Sequence, residues 1–354
     1  MKTRFSGWFN ESHRHSLASR GISTRLMSKT LSSTSPRLGF RHNASKNSLE
    51  SRLNFTYQML SPVEIEKLRK KAGELESKRD PNIAKRLLRL QSGATTKQMF
   101  HQPLQDEKTA EIWKYWDPRR RALQHQLLGQ SVRASEAIQK KHFGRPIVMY
   151  TGGLPASGKT SALKELFNIK RGYRGGSPMV MQDAEGREFL LVSSDDIKES
   201  MPEFETGLGS AKIHEESSLL AQEIIADATK RGINIIVDST LSKVPRTKEE
   251  LDAFKKAGYQ TVLLEVYAPP SFALESAYNR ENSPEEGRVV PLNVIVDRAV
   301  QLPTSISQLK PEFDVVYSTS RGIKSKDFTP FVVSGKPVFK AKPTARFEVT
   351  QDVA

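Results

Sequence analysis

The chain has 354 residues, no cysteine, and 55 Lys and Arg against 40 Asp and Glu, which gives a formal net charge of +15. The absence of cysteine excludes a disulfide scaffold, a Cys-ligated zinc site, a thiol nucleophile and an iron–sulfur cluster. No apolar run approaches the roughly 18 residues of a membrane-spanning helix. A charge of this size suggests a nucleic-acid-binding protein, an interpretation that depends on where the charge lies.

The positive charge lies in the N-terminal part of the sequence. Residues 1–55 contain 10 basic and 2 acidic side chains (+8), residues 56–144 contain 18 and 10 (+8), and residues 145–354 contain 27 and 28 (−1). We therefore predict a disordered basic segment over 1–55 and a basic helical region over 56–144. A catalytic domain is predicted over 145–333, followed by a C-terminal tail over 334–354.

The first 55 residues are predicted to be disordered because they are rich in serine and arginine and lack hydrophobic periodicity. They contain no apolar stretch of roughly 7–15 residues that would indicate a secretory signal peptide. Their composition suits the export signal of an injected bacterial effector, a mitochondrial presequence or a plain disordered tail. The corresponding sites of action are a host cytoplasm, the mitochondrion and the bacterial cytoplasm.

The region 56–144 is predicted to be helical. Ser61-Pro62-Val63-Glu64 is a capping box with proline at the first helical position, and apolar residues follow at helical spacing. Asp106–Trp116 and Arg119–Lys141 suggest two more helices. The second opens with Arg119-Arg120-Arg121, a run that could bind phosphates or an anionic surface, or could form a solvated helix face.

A phosphate-binding loop follows a short apolar strand at Ile147–Tyr150. The pattern G-x-x-x-x-G-K-[ST] stands between this strand and a predicted helix over Thr160–Ile169, which is the context that the motif requires. Its glycines let backbone N–H groups face nucleotide phosphates, its lysine reaches the outer phosphates, and its threonine hydroxyl ligates Mg²⁺. The predicted ATP-binding residues are Gly153, Leu154, Pro155, Ala156, Ser157, Gly158, Lys159 and Thr160.

Two further predicted strands lead to carboxylates. Phe189–Val192 leads to Asp195 and Asp196, and Ile233–Val237 leads to Asp238. Because strand C-termini of a parallel sheet meet along one edge, these groups are expected near the Mg²⁺–triphosphate. One could act as a base toward an acceptor hydroxyl and another could hold the water shell of the metal, whereas Asp196 could instead cap the following helix. The sequence contains no Asn-Lys-x-Asp tetrapeptide of the kind that GTPases use to read their base.

Five blocks stand in a fixed order between about Ile147 and Ser318. They are Gly153–Thr160, Asp195-Asp196-Ile197-Lys198, Gly232–Leu241, Lys256-Ala257-Gly258-Tyr259, and Arg280 with Arg288-Val289-Val290-Pro291. In this order they resemble the zeta-toxin group of P-loop kinases. The resemblance implies an α/β fold with a P-loop kinase-type parallel sheet flanked by helices, here preceded by a helical region and a disordered N-terminus.

The resemblance also implies catalytic roles. Asp195 matches the general base that accepts the proton of an attacking sugar hydroxyl. Lys159 matches the phosphate-binding lysine, and Thr160 matches the Mg²⁺ ligand. Arg280 and Arg288 match the arginines that neutralise charge on the transferring phosphoryl group. The implied activity is an ATP- and Mg²⁺-dependent kinase with an alcohol group as acceptor.

The acceptor side matches the family less closely. The residues expected to bind substrate are Lys198, Gln222, Asp238 and Thr240, and Asp238 is also expected to hold Mg²⁺ through water. An acidic residue of the family falls on Gln222, and an arginine of the family falls on Ser242. Zeta toxins phosphorylate UDP-N-acetylglucosamine, whereas relatives delivered into plant cells phosphorylate NAD. The departures favour an acceptor such as NAD, and the resemblance implies an antitoxin or a secretion chaperone as a partner.

Three classes of function remain open. The first is a kinase toxin or effector that acts on a nucleotide metabolite. The second is a polynucleotide or RNA kinase that grips nucleic acid with its basic N-terminal half, and the near-neutral region 145–354 argues against it. The third is a binding protein that has lost catalysis, against which Lys159, Asp195 and the two arginines argue. We therefore predict a small-molecule kinase without a nucleic-acid partner.

Overall fold

The computed structural model describes residues 57–100, 116–138, 144–171, 179–281, 289–320, 331–339 and 347–349. In these ranges nine strands form one sheet, in the order β2-β3-β4-β5-β1-β6-β7-β8-β9. The strands are β1 (Ile147–Gly152), β2 (Lys170–Arg171), β3 (Val180–Gln182), β4 (Glu188–Ser193), β5 (Ile235–Asp238), β6 (Gln260–Tyr267), β7 (Val315–Ser320), β8 (Phe331–Ser334) and β9 (Phe347–Val349).

The five central strands, β4-β5-β1-β6-β7, run parallel. Every residue of β1 is buried because β5 and β6 pair with its two edges and helices cover both faces. The register places Thr151 of β1 beside Asp238 of β5, and Asp238 beside Ser193 of β4. The carboxyl ends of three strands therefore meet at one edge, as the sequence predicts, and the α/β fold with a mostly parallel sheet is confirmed.

Helices cover both faces of the sheet, and none in the described ranges is long and apolar enough to cross a membrane. The helices are α1 (Pro62–Glu76), α2 (Pro81–Gln91), α3 (Thr96–Phe100), α4 (Pro118–Ala137), α5 (Lys159–Phe167), α6 (Ser194–Glu199), α7 (His214–Arg231), α8 (Val244–Lys256), α9 (Pro270–Glu281) and α10 (Leu292–Leu309), with 3₁₀ turns at Pro202–Gly207 and Lys310–Glu312. Alternate residues of β1 face opposite sides of the sheet. Met149 belongs to one buried cluster with Leu163 and Phe167 of α5, and Tyr150 belongs to a second cluster with residues of α1, α4 and α6–α10.

The helices before β1 agree in part with their prediction. The capping box of α1 is present: the Ser61 side chain accepts from the Glu64 N–H, and the Glu64 carboxylate accepts from the Ser61 N–H. The predicted helix 119–141 corresponds to α4. The predicted helix 106–116 lies outside the described residues except for Trp116, which is buried. The helices α2 and α3 were not predicted.

These N-terminal helices share their core with the sheet. Leu68 and Ala72 of α1 and Leu127 of α4 belong to the same buried cluster as residues of β1 and β5. A buried ion pair adds a second link, because the Arg79 guanidinium binds the Glu281 carboxylate of α9 through Nε at 2.8 Å and Nη2 at 2.7 Å. The helical region is therefore packed against the helices that cover the sheet, and it contributes to the same core.

Arg120, in the middle of the arginine run, is buried. Its Nε donates to Glu216 Oε1 at 2.8 Å, its Nη2 donates to Glu216 Oε2 at 2.8 Å, and its Nη1 donates to Glu203 at 2.9 Å. Gln124, one turn further along α4, donates to the same Glu216 carboxylate at 2.7 Å. Arg120 is thus neither an external anion-binding group nor part of a solvated face, whereas Arg119 is exposed. Both interpretations were wrong for Arg120 because its carboxylate partners lie far away in the sequence.

Part of the predicted C-terminal tail packs on the sheet. The backbone N–H groups of Val338 and Phe339 donate to the Tyr317 hydroxyl at 2.8 and 3.0 Å. The Phe339 ring is buried against Phe167 of α5 and Phe189 of β4. Val338 and Phe339 therefore extend the apolar layer on the α5 side of the sheet.

We predict that Arg120→Ala lowers the free energy of unfolding by about 3–5 kcal/mol, because it leaves Glu216 as a buried charge without its cation. Glu216 has no solvent exposure. Urea denaturation followed by circular dichroism measures the change. The control Arg119→Ala removes an exposed neighbour and is expected to cost less than about 0.5 kcal/mol. A loss below about 1 kcal/mol for Arg120→Ala would contradict the assigned role.

Candidate active site

The chain turns from β1 into α5 through a loop that requires glycine. Gly153 has φ +149°, and a Cβ there would lie 2.5 Å from the Val266 carbonyl oxygen. Gly158, at φ +90°, precedes α5, and Ala156 also adopts a left-handed φ of +60°. The N-terminus of α5 has no hydrogen bond from a capping side chain. The N–H groups of its first turn therefore remain available to an anion, as the sequence motif predicts.

Lys159 and Thr160 are the first two residues of α5. The Lys159 ammonium donates to the Leu154 carbonyl oxygen at 3.2 Å, so the lysine side chain folds back onto the predicted phosphate-binding loop. Thr160 is exposed at the mouth of the loop, whereas Ser157 is fully buried. A partly buried ammonium and an exposed hydroxyl beside open helix N–H groups suit a phosphate chain with a bound cation.

A cavity lies at the carboxyl ends of β1, β4 and β5, next to the start of α5. Within it the Asp238 carboxylate accepts a hydrogen bond from the Thr151 hydroxyl at 2.8 Å. The residues that line the cavity are Thr151, Thr160, Leu163, Met181, Leu191, Ser193, Asp196 and Asp238. The structure therefore brings the predicted metal ligand Thr160 together with Asp238, and it adds Asp196 to them.

The capping interpretation of Asp196 was wrong. The N-cap of α6 is Ser193, whose hydroxyl accepts from the Asp196 N–H at 3.3 Å, so the Asp196 carboxylate lines the cavity instead. Two carboxylates and the Thr160 hydroxyl form an oxygen-rich set suited to Mg²⁺, which binds a few protein oxygens together with substrate phosphates. No cluster of three or more His, Asp or Glu that could hold a metal occurs among the described residues.

Asp195, the predicted base, occupies the next position on the same helical turn. Its carboxylate accepts from the Lys198 ammonium at 2.9 Å. The Lys198 side chain is 9% exposed and the Asp195 side chain is 48% exposed. The structure thus pairs two residues that were predicted separately, a base and a substrate-binding lysine, and leaves half of the carboxylate open to solvent. Asp195 is not among the residues that line the cavity.

Cationic groups surround His214 at the start of α7. Partial desolvation, followed by the nearby charges of Lys198 and Lys243, lowers the pKa of His214 to about 4, and Arg298 acts in the same direction. Asp195 opposes this effect. Desolvation and neighbouring arginines also lower the pKa of Lys243. Three cationic side chains, Lys198, Lys243 and Arg298, therefore lie near the predicted base, and Glu215 and Glu250 lie near Lys243. Cations at this place suit an anionic acceptor.

Gln222 and Thr240 belong to two other local networks. With its amide oriented to satisfy both groups, the Gln222 carbonyl oxygen accepts from the Arg246 guanidinium at 2.7 and 3.0 Å. Arg246 also binds Glu250 at 2.8 Å. Thr240 donates to the Ser242 hydroxyl at 3.2 Å. Sequence reasoning missed Arg246, and the available signal was an arginine four residues after the position where the family pattern places one.

Arg280, one of the two predicted arginines, is not among the residues that line the cavity. Arg280 is half-buried in the last turn of α9, next to Glu281, which binds Arg79. Arg288 lies outside the described residues. The roles of both arginines in charge neutralisation therefore stay predictions.

Comparisons with known proteins agree with this geometry. The family model described as zeta toxin matches residues 132–328, more than half of the chain. A solved structure of AvrRxo1-ORF1:AvrRxo1-ORF2 with sulphate ions is 20% identical, with a TM-score of 0.50 over 72% of this chain and 80% of that chain. At this identity the likeness supports the fold alone.

Two further solved structures are more distant in shape. A structure of AvrRxo1-ORF1:-ORF2 with ATP is 20% identical, with a TM-score of 0.47 over 68% of this chain and 77% of that chain. A structure from the PezAT chromosomal toxin–antitoxin system of Streptococcus pneumoniae is 16% identical, with a TM-score of 0.41 over 59% of this chain and 80% of that chain. None of the curated protein sequences compared with the chain matches it.

We predict that His214→Asn flattens the dependence of stability on pH below neutrality. The pKa of His214 is about 4 in the folded protein against an ordinary value of 6.5, so the unfolded chain binds more protons between these values. The stability associated with this group is complete above pH 6.5 and is lost as the pH falls toward 4. Thermal unfolding of both proteins at about pH 7 and about pH 4.5 measures the difference.

The matched control is His125→Asn, which alters an exposed histidine on α4. This control should lose as much stability on acidification as the wild-type protein. An equal loss for His214→Asn and wild type would show that neither burial nor the neighbouring cations lower the pKa of His214.

Proposed function

The chain belongs to the zeta-toxin family, whose members are kinases, and we propose that it transfers the γ-phosphoryl group of ATP to a sugar hydroxyl of a nucleotide metabolite. One observation carries this proposal: Thr160, Asp196 and Asp238 converge on one cavity at the N-terminus of α5. A fourth group, the Asp195 carboxylate, lies on the same turn of α6 as Asp196. A phosphate-binding end and a candidate base are thus adjacent.

In this proposal the loop and its helix hold ATP. The open N–H groups of α5 and the Lys159 ammonium bind the phosphates, since the helix terminus and the lysine both favour negative charge there. Thr160, Asp196 and Asp238 would hold Mg²⁺, which neutralises phosphate charge when bound. The fit rests on the oxygen ligands that these three side chains present around one cavity.

The proposed chemical step needs a base and charge stabilisation. Asp195 accepts the proton of the acceptor hydroxyl while the hydroxyl oxygen forms a bond to the γ-phosphorus. The bond between the γ-phosphorus and the β–γ bridging oxygen breaks, and ADP leaves. Lys198 fixes the orientation of the Asp195 carboxylate through the contact at 2.9 Å. Arg280 is proposed to neutralise charge on the transferring group.

The proposed acceptor is a nucleotide that carries phosphate. Lys198, Lys243 and Arg298 all lie close enough to His214 to lower its pKa, so the acceptor side is cationic. NAD and UDP-N-acetylglucosamine both carry a pyrophosphate that would suit this surface. The replacement of two family side chains by Gln222 and Ser242 favours NAD over the UDP-sugar.

We propose further that the protein acts as a toxin or as an injected effector. The family supports a toxin, and the basic Ser/Arg-rich composition of residues 1–55 supports export. A neutralising antitoxin or a secretion chaperone is the proposed partner, by analogy with the AvrRxo1-ORF1:-ORF2 complex, to which the chain is similar in fold. The proposed site of action is a host cytoplasm.

The test is incubation with γ-labelled ATP and, separately, NAD, UDP-N-acetylglucosamine and an RNA oligonucleotide with a 5′-hydroxyl. We expect label on a sugar hydroxyl of NAD, identified by mass spectrometry. Asp195→Asn should lower transfer by at least about 10²-fold while ATP affinity is retained, because a general base is lost. The neighbouring variant Asp196→Asn should instead raise the Mg²⁺ concentration needed for half-maximal activity.

The outcomes separate the classes of function. Label on RNA would support the polynucleotide kinase and contradict the proposal. ATP binding without transfer to any hydroxyl would support a binding protein. Near-normal transfer by Asp195→Asn would remove Asp195 as the base.

We also predict that Lys243→Ala raises the KM of the acceptor about tenfold and leaves the KM of ATP unchanged, because it removes one cation from the acceptor side. Steady-state kinetics with each substrate varied in turn measures both constants. Lys256→Ala, at the exposed end of the same helix, is the control for a general loss of positive charge. An unchanged acceptor KM for Lys243→Ala would remove Lys243 from the acceptor site.

A further inference from the structure

The hydroxyl of Tyr57 contacts the phosphate-binding loop from outside the region that the family model matches. The phenol accepts a hydrogen bond from the Leu154 N–H at 3.1 Å and donates one to the Val266 carbonyl oxygen at 2.9 Å. Leu154 and Val266 are fully buried, and Tyr57 is 7% exposed. One side chain therefore joins the second residue of the loop motif to the end of β6.

Leu154 also anchors the phosphate-binding lysine. Its carbonyl oxygen accepts from the Lys159 ammonium at 3.2 Å and from the Ser157 N–H at 3.2 Å. The residue is thus held on both sides, at its N–H by Tyr57 and at its carbonyl by the loop. Any displacement of Leu154 moves the oxygen on which Lys159 rests.

Tyr57 is itself held in a fixed position. Its ring packs edge-on against Tyr267, with the ring centroids 4.9 Å apart. Burial raises the pKa of the phenol well above its ordinary value, so the group keeps the proton that it donates. The absence of a side chain at Gly153 completes the fit, since a Cβ there would lie 3.3 Å from the Tyr57 hydroxyl. These contacts fix the Tyr57 hydroxyl in place against the phosphate-binding loop.

We propose that Tyr57 is a positioning residue for the phosphate-binding loop, so that a residue before the family-matched region forms part of the ATP site. The inference rests on the proposed ATP-dependent kinase activity. Without the phenol oxygen, the Leu154 N–H and the Val266 carbonyl each lose a buried partner. The loop must then shift or admit water to satisfy them, and either change displaces the Lys159 ammonium.

The test is Tyr57→Phe in the full chain, which keeps the ring and removes only the oxygen. We expect ATP affinity, measured by calorimetry without acceptor, to fall about tenfold. The acceptor KM should stay within about twofold of the wild-type value, because the residues of the proposed acceptor side do not contact the Tyr57 hydroxyl. The control Tyr267→Phe removes the hydroxyl of the packed partner ring, and its ATP affinity should also stay within about twofold of wild type.

Hydrogen exchange gives a second readout that does not depend on activity. The Leu154 amide should be protected in the wild-type protein without ATP, and it should exchange faster in Tyr57→Phe but not in Tyr267→Phe. Equal ATP affinity of Tyr57→Phe and wild type, or an unprotected Leu154 amide in wild type, would overturn the inference. A wild-type protein that binds no ATP would instead overturn the proposed function. The exchange measurement would still decide whether the hydrogen bond between the Leu154 N–H and the Tyr57 hydroxyl exists.

Discussion

The turn from β1 into α5 is the constraint on which the rest of the structure depends. A helix that begins behind Gly158 without a capping side chain leaves backbone N–H groups at its N-terminus that can bind an anion. Chemistry on a bound anion also requires polar side chains beside it. The parallel register places them there by aligning Thr151 with Asp238 and Asp238 with Ser193. A shift of either pairing by one residue would turn these side chains to the opposite face of the sheet. The position of β1 between β5 and β6 therefore fixes the cavity.

The buried ion pairs of the N-terminal helical region change the interpretation of the net charge of +15. Residues 56–144 are basic as a segment, but Arg79 and Arg120 bury their charges against carboxylates of the following segment, namely Glu281, Glu203 and Glu216. Part of the charge asymmetry along the sequence is therefore cancelled inside the fold and is not available to a partner. The same contacts join the helical region to α9 at Glu281 and to α7 at Glu216. They explain why the segment that carries Tyr57 can present a hydroxyl to the loop at a defined distance.

Local chemistry made much of the fold predictable. The capping box, the loop motif and the apolar strands each depend on residues that are neighbours in the sequence. Two residues of the five ordered blocks, Asn234 and Tyr259, form hydrogen bonds that link different elements of the fold. The Asn234 side chain accepts from the Ile147 N–H and donates to the Glu188 carbonyl, and Tyr259 donates to the Ile233 carbonyl. The site was less predictable, because neighbouring residues of a helix point about 100° apart. Which of two adjacent aspartates faces the cavity therefore depends on where α6 packs. The partners of Arg120 depend in the same way on tertiary contacts that no local pattern records.

The phosphate-binding side and the proposed acceptor side of the candidate site differ in how strictly they restrict the amino-acid sequence. Phosphates are held mainly by backbone N–H groups, so the loop must keep its glycines and its spacing, and its motif is easy to recognise. The proposed acceptor side is made of long side chains, which can reach one place from several positions in a sequence. Arg246 illustrates this, because it reaches Gln222 from the start of α8 and is held by Glu250, which in turn accepts from the Tyr150 hydroxyl of β1 at 2.8 Å. The Arg246 guanidinium is thus linked through Glu250 to the central strand, although its position in the sequence differs from the family pattern. Departures from that pattern on the acceptor side are therefore compatible with an ordered substrate site.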